Sequence, residues 1–127
     1  MIKILIAEDN KSVQALYNVG LPDGQFQKKF VENGQDAVSE YEAWKPEIVI
    51  LDLIMPLMSG YAALKAIREK ESENGRDTTI IISTGSAEKN DIMDCAKLGM
   101  AGYILKPFKH RELPEKIESF HAKRRRK

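Results

Sequence analysis

The chain is predicted to be an α/β protein, a parallel sheet covered by helices on both faces. Three observations predict this. Five strand-like segments recur, three of them runs rich in β-branched residues, stretches of helical period separate them, and Gly, Pro or Asn marks most junctions. A chain of 127 residues suits one domain with a sizeable core. Right-handed crossovers then restrict the arrangement to doubly wound topologies, although periodicity alone does not give the strand order.

Taken in order, Ile2 to Ala7 reads as the first strand, closed by Glu8-Asp9-Asn10. Helical spacing follows from Ser12 to Leu21 (Val13, Leu16, Tyr17), with Gly20 and Pro22 enforcing a stop. Phe26 to Val31 is a more polar strand, and the charges at Lys28 and Lys29 suit an edge. Asn33-Gly34 turns the chain into a helix over Gln35 to Trp44, where Ala37, Val38, Tyr41 and Trp44 form an apolar stripe and Trp44 reads as packing.

The run Ile48-Val-Ile-Leu51 is uninterrupted apolar sequence and suits a strand buried on both faces. Asp52 stands where it emerges, Pro56 forbids its continuation, and Gly60 precedes the next helix. That helix is expected over Tyr61 to Lys70, followed by a polar loop, Glu71 to Asp77, with nothing to bury. Thr79 to Thr84 is another buried strand, and Ala87 to Leu98 a helix capped by Gly99. Ala101 to Leu105 is the last strand, and Glu112 to His121 a closing amphipathic helix carrying Leu113, Ile117 and Phe120. His110 and His121 are expected at the surface, and Cys95 as a small buried apolar residue.

Composition is that of an ordinary soluble domain, 43% hydrophobic and 31% charged. No apolar run reaches the roughly 20 residues of a membrane span, and the N-terminal one is too short for a secretory signal. A single cysteine forms no internal disulfide, so a cytoplasmic location is expected. The net charge of +1 is uneven, because the tail Lys123 to Lys127 contributes +5 and residues 1–122 carry −4. We therefore read residues 1–122 as the domain and 123–127 as a basic tail or linker stub. An acidic body argues against nucleic-acid binding by the domain.

The chemistry collects where the strands end. The first delivers Glu8 and Asp9, the third Asp52, the fourth Thr84 and the fifth Lys106. In a parallel sheet these ends share one edge, the edge where open α/β folds bind ligands. Three carboxylates beside one ammonium leave an excess of −2. Two unit charges 4 Å apart interact by about 4 kcal/mol at an effective dielectric near 20, so such a cluster must protonate or bind a cation. An all-oxygen set without nearby His or Cys suits Mg²⁺ (or Mn²⁺) better than zinc. A metal-bound carboxylate beside an amine and a hydroxyl is equipped for phosphoryl transfer.

At this point the chain resembles the receiver domain of two-component response regulators, from Ile2 to about Phe120. Asp52-Leu-Ile-Met-Pro-Leu-Met-Ser-Gly60 matches that family's D-x-x-M-P-x-M-x-G run. Glu8-Asp9 matches its acidic pair, Thr84 its hydroxyl, Tyr103 its switch aromatic, and Lys106-Pro107-Phe108 its K-P-F motif. The resemblance implies a flavodoxin-like fold with strand order 2-1-3-4-5 and five helices. It implies that Asp52 accepts a phosphoryl group from a sensor histidine kinase, a phosphotransfer protein or a small phosphodonor. Asp9, Asp52 and the main-chain carbonyl of Ile54 would then hold Mg²⁺, with Glu8 bound through water.

By the same resemblance, Lys106 pairs with phosphoryl oxygens, Thr84 moves toward them, and Tyr103 rotates inward. The bond before Pro107 is expected to be cis. The surface of the fourth helix, fifth strand and fifth helix, with Lys89, Asp91, Lys97, Lys109, His110 and Glu112, would carry the signal to a downstream effector. Such a protein is a signalling module, not an enzyme, though it assists its own phosphorylation and slow dephosphorylation. Glu8 stands where Asp is commoner, and Ile54 and Ser86 occupy positions that tune phosphoryl lifetime. A haloacid-dehalogenase-type phosphatase would need a second Asp at position 54, where this chain has Ile. A pseudo-receiver would lack parts that are all present here. The exposed faces leave a phosphorylation-dependent homodimer open.

Overall fold

The computed structural model of the chain describes residues 1–85 and 89–125, apart from the side chains of Lys89 and Asn90. Strands and helices alternate: β1 (Ile2–Ala7), α1 (Lys11–Gly20), β2 (Phe26–Val31), α2 (Gly34–Trp44), β3 (Ile48–Asp52), α3 (Gly60–Asn74), β4 (Thr79–Thr84), α4 (Lys89–Lys97), β5 (Gly102–Leu105) and α5 (Leu113–Arg125). A 3₁₀ turn at His110–Glu112 leads into α5. The expected helix start at Ala87, Ser86, the side chain of Lys89, and Arg126 and Lys127 lie outside the described residues.

The five strands form one parallel sheet in the order β2-β1-β3-β4-β5. This is the doubly wound, flavodoxin-like arrangement. Successive side chains of a strand point to opposite faces, so each central strand feeds two cores. Leu5, Val49, Leu51, Ile80 and Ile82 pack on one side with Tyr41, Leu64, Ile67 and Cys95. Ile4, Ile6, Ile48, Ile50 and Ile81 pack on the other with Tyr17, Leu21, Leu113 and Ile117. Burying one such side chain is worth about 1.5–3 kcal/mol. The apolar run of β3 therefore specifies the centre of the sheet.

Local signals position the helices. Asn10, Asn33 and Ser59 cap α1, α2 and α3, their side chains accepting from Val13 N, Asp36 N and Ala62 N. β2 is an edge, as expected, but Lys28 is not a solvated edge charge. Its Nζ donates to the carbonyls of Asn18 and Leu21 at 2.8 and 2.5 Å and so satisfies the end of α1. Trp44 is half-buried against the core, beneath Lys3 and Lys29 at 5.3 and 5.5 Å.

Two expectations are corrected. The stretch from Glu71 is not a loop with nothing to bury, because α3 continues to Asn74 and stops at Gly75 in the left-handed region (φ 75°). Glu71 is 8% exposed. Its carboxylate accepts from Tyr41 OH at 2.8 Å, Thr78 N at 3.1 Å, Thr78 Oγ1 at 2.7 Å and Arg68 Nη1 at 2.5 Å. Glu, Ser and Asn look like loop composition in sequence; Tyr41 from α2, Arg68 from α3 and Thr78 just ahead of β4 make the acid buriable. At the far end, α5 runs through Lys123–Arg125, and Arg124 donates to Asp77 Oδ1 at 3.0 Å and Gly99 O at 2.7 Å.

The second correction concerns the histidines, both half-buried where surface positions were expected. His121 Nδ1 lies 2.7 Å from Thr79 Oγ1, and its Nε2 is buried without a hydrogen-bond partner among the described residues. Burial, then the Arg125 charge, holds its pKa below the ordinary imidazole value of 6.5, with Glu47 opposing. The fold thus prefers neutral His121 and the unfolded chain takes up the proton more readily. Its contribution to stability is full above about pH 6.5 and is lost as pH falls below that value toward the lowered folded pKa. Melting temperatures at pH 7.5 and 5.5 should therefore differ less in His121→Gln than in the parent chain. An identical drop in both would remove His121 as a cause.

Candidate functional site

The residues expected to carry chemistry come from four strand ends on one edge of the sheet. β3 ends at Asp52, paired in register with Ser83, and β4 ends at Thr84, paired with Leu105. Glu8 follows β1 and Lys106 follows β5. Asp52 and Thr84 are 5% and 3% exposed and Glu8 is buried, whereas Asp9 is exposed. Parallel pairing is what gathers them, since it brings every carboxyl-terminal strand end to the same side.

Lys106 holds the cluster together. Its Nζ donates to Asp52 Oδ2 at 2.9 Å and to Glu8 Oε1 at 3.0 Å. Burial by itself would lower the Lys106 pKa, but hydrogen bonds to Asp52 and Glu8 and their charges carry it above the ordinary lysine value. Glu8 moves the other way: burial raises its pKa, helped by the Asp52 charge, while the Asn10 N–H and Lys106 oppose this. The second Glu8 oxygen accepts from Asn10 N at 3.1 Å, and its carbonyl accepts from Gln14 Nε2 at 2.6 Å. Gln14 was not singled out from sequence; a polar residue on the first helix six positions after Glu8 was the available signal.

The loop after Asp52 is tied down at both ends. Leu53 N donates to Ser83 O at 2.8 Å, and Gly60 N donates to Leu53 O at 2.9 Å. Gly60 is required here, because a Cβ would stand 2.2 Å from the Asp52 carbonyl oxygen. Ile54 projects outward, 80% exposed, and its N–H approaches Asp52 Oδ1 at 3.4 Å. The Lys106–Pro107 bond is cis. Tyr103, on the edge strand β5, is 39% exposed and faces outward.

One carboxylate oxygen from each of Glu8, Asp9 and Asp52 can be chosen so that all three lie within 4.8 Å of one another. Such an all-oxygen donor set, short of cationic compensation, fits a hard divalent cation. Beside it opens a cleft of about 350 Å³ lined by Asp52, Leu53, Ile54, Thr84, Gly85, Asp91 and Lys106. Asp91 was expected on the signalling surface of the fourth helix; the structure also places it on the wall of this cleft.

The profile of the response regulator receiver domain matches residues 4–118. The chain belongs to that family. Among curated relatives, this receiver domain is 31% identical over 119 residues to the chemotaxis protein CheY of Listeria monocytogenes, covering 93% of the chain and 97% of the relative. It is 32% identical over 117 residues to the probable transcriptional regulator ycf27 of Porphyridium aerugineum, covering 92% of the chain but 47% of the relative. The receiver domain thus spans about half the length of the ycf27 relative.

Among solved structures, it superposes on a signal receiver domain from Vibrio parahaemolyticus with a TM-score of 0.84 and 27% identity, covering 98% of this chain and 92% of that one. It also superposes on the receiver domain of a sensor histidine kinase from Pseudomonas aeruginosa with a TM-score of 0.82 and 31% identity, covering 95% and 98%. That Pseudomonas structure has a magnesium ion coordinated in its active-site cleft. Receiver domains are signalling modules. Among the described residues no helix is long and apolar enough to cross a membrane.

Proposed function

We propose that this receiver domain is a phosphorylation-dependent switch in which Asp52 accepts the phosphoryl group. The observation that carries the reading is the Lys106 bridge between Asp52 and Glu8 at the floor of an open cleft, with Thr84 on its wall. An Asp52 oxygen forms a bond to phosphorus while the donor's bridging bond breaks and the leaving group takes the electron pair. Lys106 is placed to accompany the new phosphoryl oxygens, and Thr84 to hydrogen-bond one of them.

Asp9, Asp52 and the Ile54 carbonyl would hold Mg²⁺ (or Mn²⁺), with Glu8 acting through water; when bound, the ion neutralises charge on the phosphoryl oxygens. Phosphorylation adds about −1.5 to −2 charge and strong acceptors. Moving a two-state equilibrium from 1:99 to 99:1 takes about 5.5 kcal/mol. A few charge-assisted hydrogen bonds at roughly 1.5–3 kcal/mol each supply that.

Thr84 drawn toward the phosphoryl group vacates space for outward-facing Tyr103, and the surface of α4, β5 and α5 changes with it. Tyr103, Leu105, Lys109 and Glu112 are exposed on that surface, beside a pocket of about 260 Å³. The donor would be a sensor histidine kinase or a phosphotransfer protein in the cytoplasm, and the readout a downstream effector. The switch would include α5 through Arg125, which Arg124 ties to Asp77 and Gly99.

The test is incubation with acetyl phosphate and Mg²⁺, followed by intact mass. One hydroxylamine-labile phosphoryl group per chain is expected, lost when EDTA replaces Mg²⁺. A chain that stays unlabelled at saturating donor and metal would overturn the reading.

A further inference from the structure

Asp91 is a fourth carboxylate at the phosphorylation cleft, and it belongs to none of the strand ends. It lies in the first turn of α4 and lines the cleft together with Asp52, Thr84, Gly85 and Lys106. A Cβ built on Gly85 would meet nothing within 4 Å among the described residues. Asp91 is exposed on this lining, so a small molecule entering the cleft passes an anionic side chain. Asp91 also lines a neighbouring groove with Leu53, Ile54, Ser59, Tyr61 and Asp94, but Asp94 does not reach the cleft.

We propose that Asp91 is a specificity determinant that disfavours free, highly charged phosphodonors by charge repulsion at the cleft mouth. The inference rests on Asp52 as acceptor. The excess negative charge of Glu8, Asp9 and Asp52 over Lys106 is what a divalent cation offsets, whereas the Asp91 charge stands outside that set. A dianion such as acetyl phosphate must approach this carboxylate before its phosphorus reaches Asp52. Phosphoramidate delivers the same phosphoryl group with less negative charge near neutral pH. In either case the Asp52 oxygen–phosphorus bond forms as the bond to acetate or to ammonia breaks, and the leaving group keeps the electron pair. The discrimination therefore lies in the donor's charge and not in the chemistry of Asp52.

The experiment measures initial labelling rates, at saturating Mg²⁺, with acetyl phosphate and with phosphoramidate. The parent chain, Asp91→Asn and Asp94→Asn are compared at low and high ionic strength. Asp91→Asn should label about threefold faster with acetyl phosphate at low salt and less than about twofold faster with phosphoramidate, the difference shrinking at high salt. Asp94→Asn should follow the parent. The parent itself should gain on acetyl phosphate relative to phosphoramidate as salt rises, an arm that needs no variant.

Equal acceleration on both donors, an equal effect of Asp94→Asn, or a salt-independent ratio in the parent would each overturn the role of Asp91 while leaving Asp52 as acceptor. A parent chain that labels with neither donor overturns the acceptor reading, and the role of Asp91 falls with it.

Discussion

Asp52→Asn is expected to abolish phosphoryl uptake while leaving the fold intact. An amide cannot form the acyl phosphate, so the loss is chemical and complete rather than a graded change in rate. The structural consequences are small because Asp52 is one of two carboxylates on Lys106. With Asp52 neutral, Lys106 keeps Glu8 at 3.0 Å, and the repulsion that helps to raise the Glu8 pKa disappears. Stability should stay within about 1 kcal/mol of the parent, since one buried repulsion is exchanged for one weakened hydrogen bond.

Lys106→Ala is the contrasting case, leaving Glu8 and Asp52 buried together without their cation. Removing one partner of a buried ion pair costs up to about 3–5 kcal/mol, and the 21% exposure of the lysine side chain puts this case toward the lower end. Intact-mass labelling and urea unfolding on the same preparations separate the two effects. Asp52→Asn labelled at the parent level would move the acceptor elsewhere, with Asp9 the first residue to examine.

Arg68→Met should be among the most destabilising single changes away from the cleft. Arg68 Nη1 donates to Glu71 Oε1 at 2.5 Å and to Thr78 O at 3.0 Å, Nε to Leu98 O at 3.1 Å, and Nη2 to Gly99 O at 2.6 Å. One guanidinium thereby joins the end of α3, the start of β4 and the turn after α4. Burial, then the neighbouring Arg124, lowers its pKa, and Glu71 and Asp77 oppose that shift.

Methionine keeps most of the apolar stem but strands the Glu71 carboxylate in a site 8% exposed. The expected loss is about 3–5 kcal/mol, a large share of the roughly 5–15 kcal/mol that holds a domain together. Glu71→Gln keeps one acceptor oxygen for Tyr41 and Thr78, gives up the bond from Arg68 at its amide nitrogen, and should lose less, about 1–2 kcal/mol. Urea midpoints for the two variants give the ranking. Arg68→Met within 1 kcal/mol of the parent would show that the ion pair is not what makes the burial of Glu71 tolerable.

The same cluster shows where sequence reading stops. Ile48 to Leu51 announces a central strand because an uninterrupted β-branched run has no solvated face to offer. Asn33-Gly34 announces a helix start, and Gly20 with Pro22 a helix stop, because their preferences act within a few residues. Glu71 has no such local signature. Its neighbours are polar, and besides Arg68 three residues earlier, the groups that make its burial tolerable lie 30 residues earlier at Tyr41 and seven later at Thr78. Lys28 and Arg124 escape a sequence reading for the same reason. A charged side chain reads as solvated until carbonyls or acids from another element surround it.

By itself, then, the sequence determined the alternation of strands and helices, the buried centre of the sheet and the residue types at each strand end, all consequences of short-range periodicity and backbone preference. The tertiary structure alone decided that Lys106 bridges Asp52 and Glu8, that Gln14 reaches the Glu8 carbonyl, that Asp91 walls the cleft, and that Arg68 and Arg124 meet at Gly99. Those contacts depend on strand order and helix placement, which bring residues far apart in the chain within hydrogen-bond range. Burial then weakens competition from water, and that is why these pairings can form.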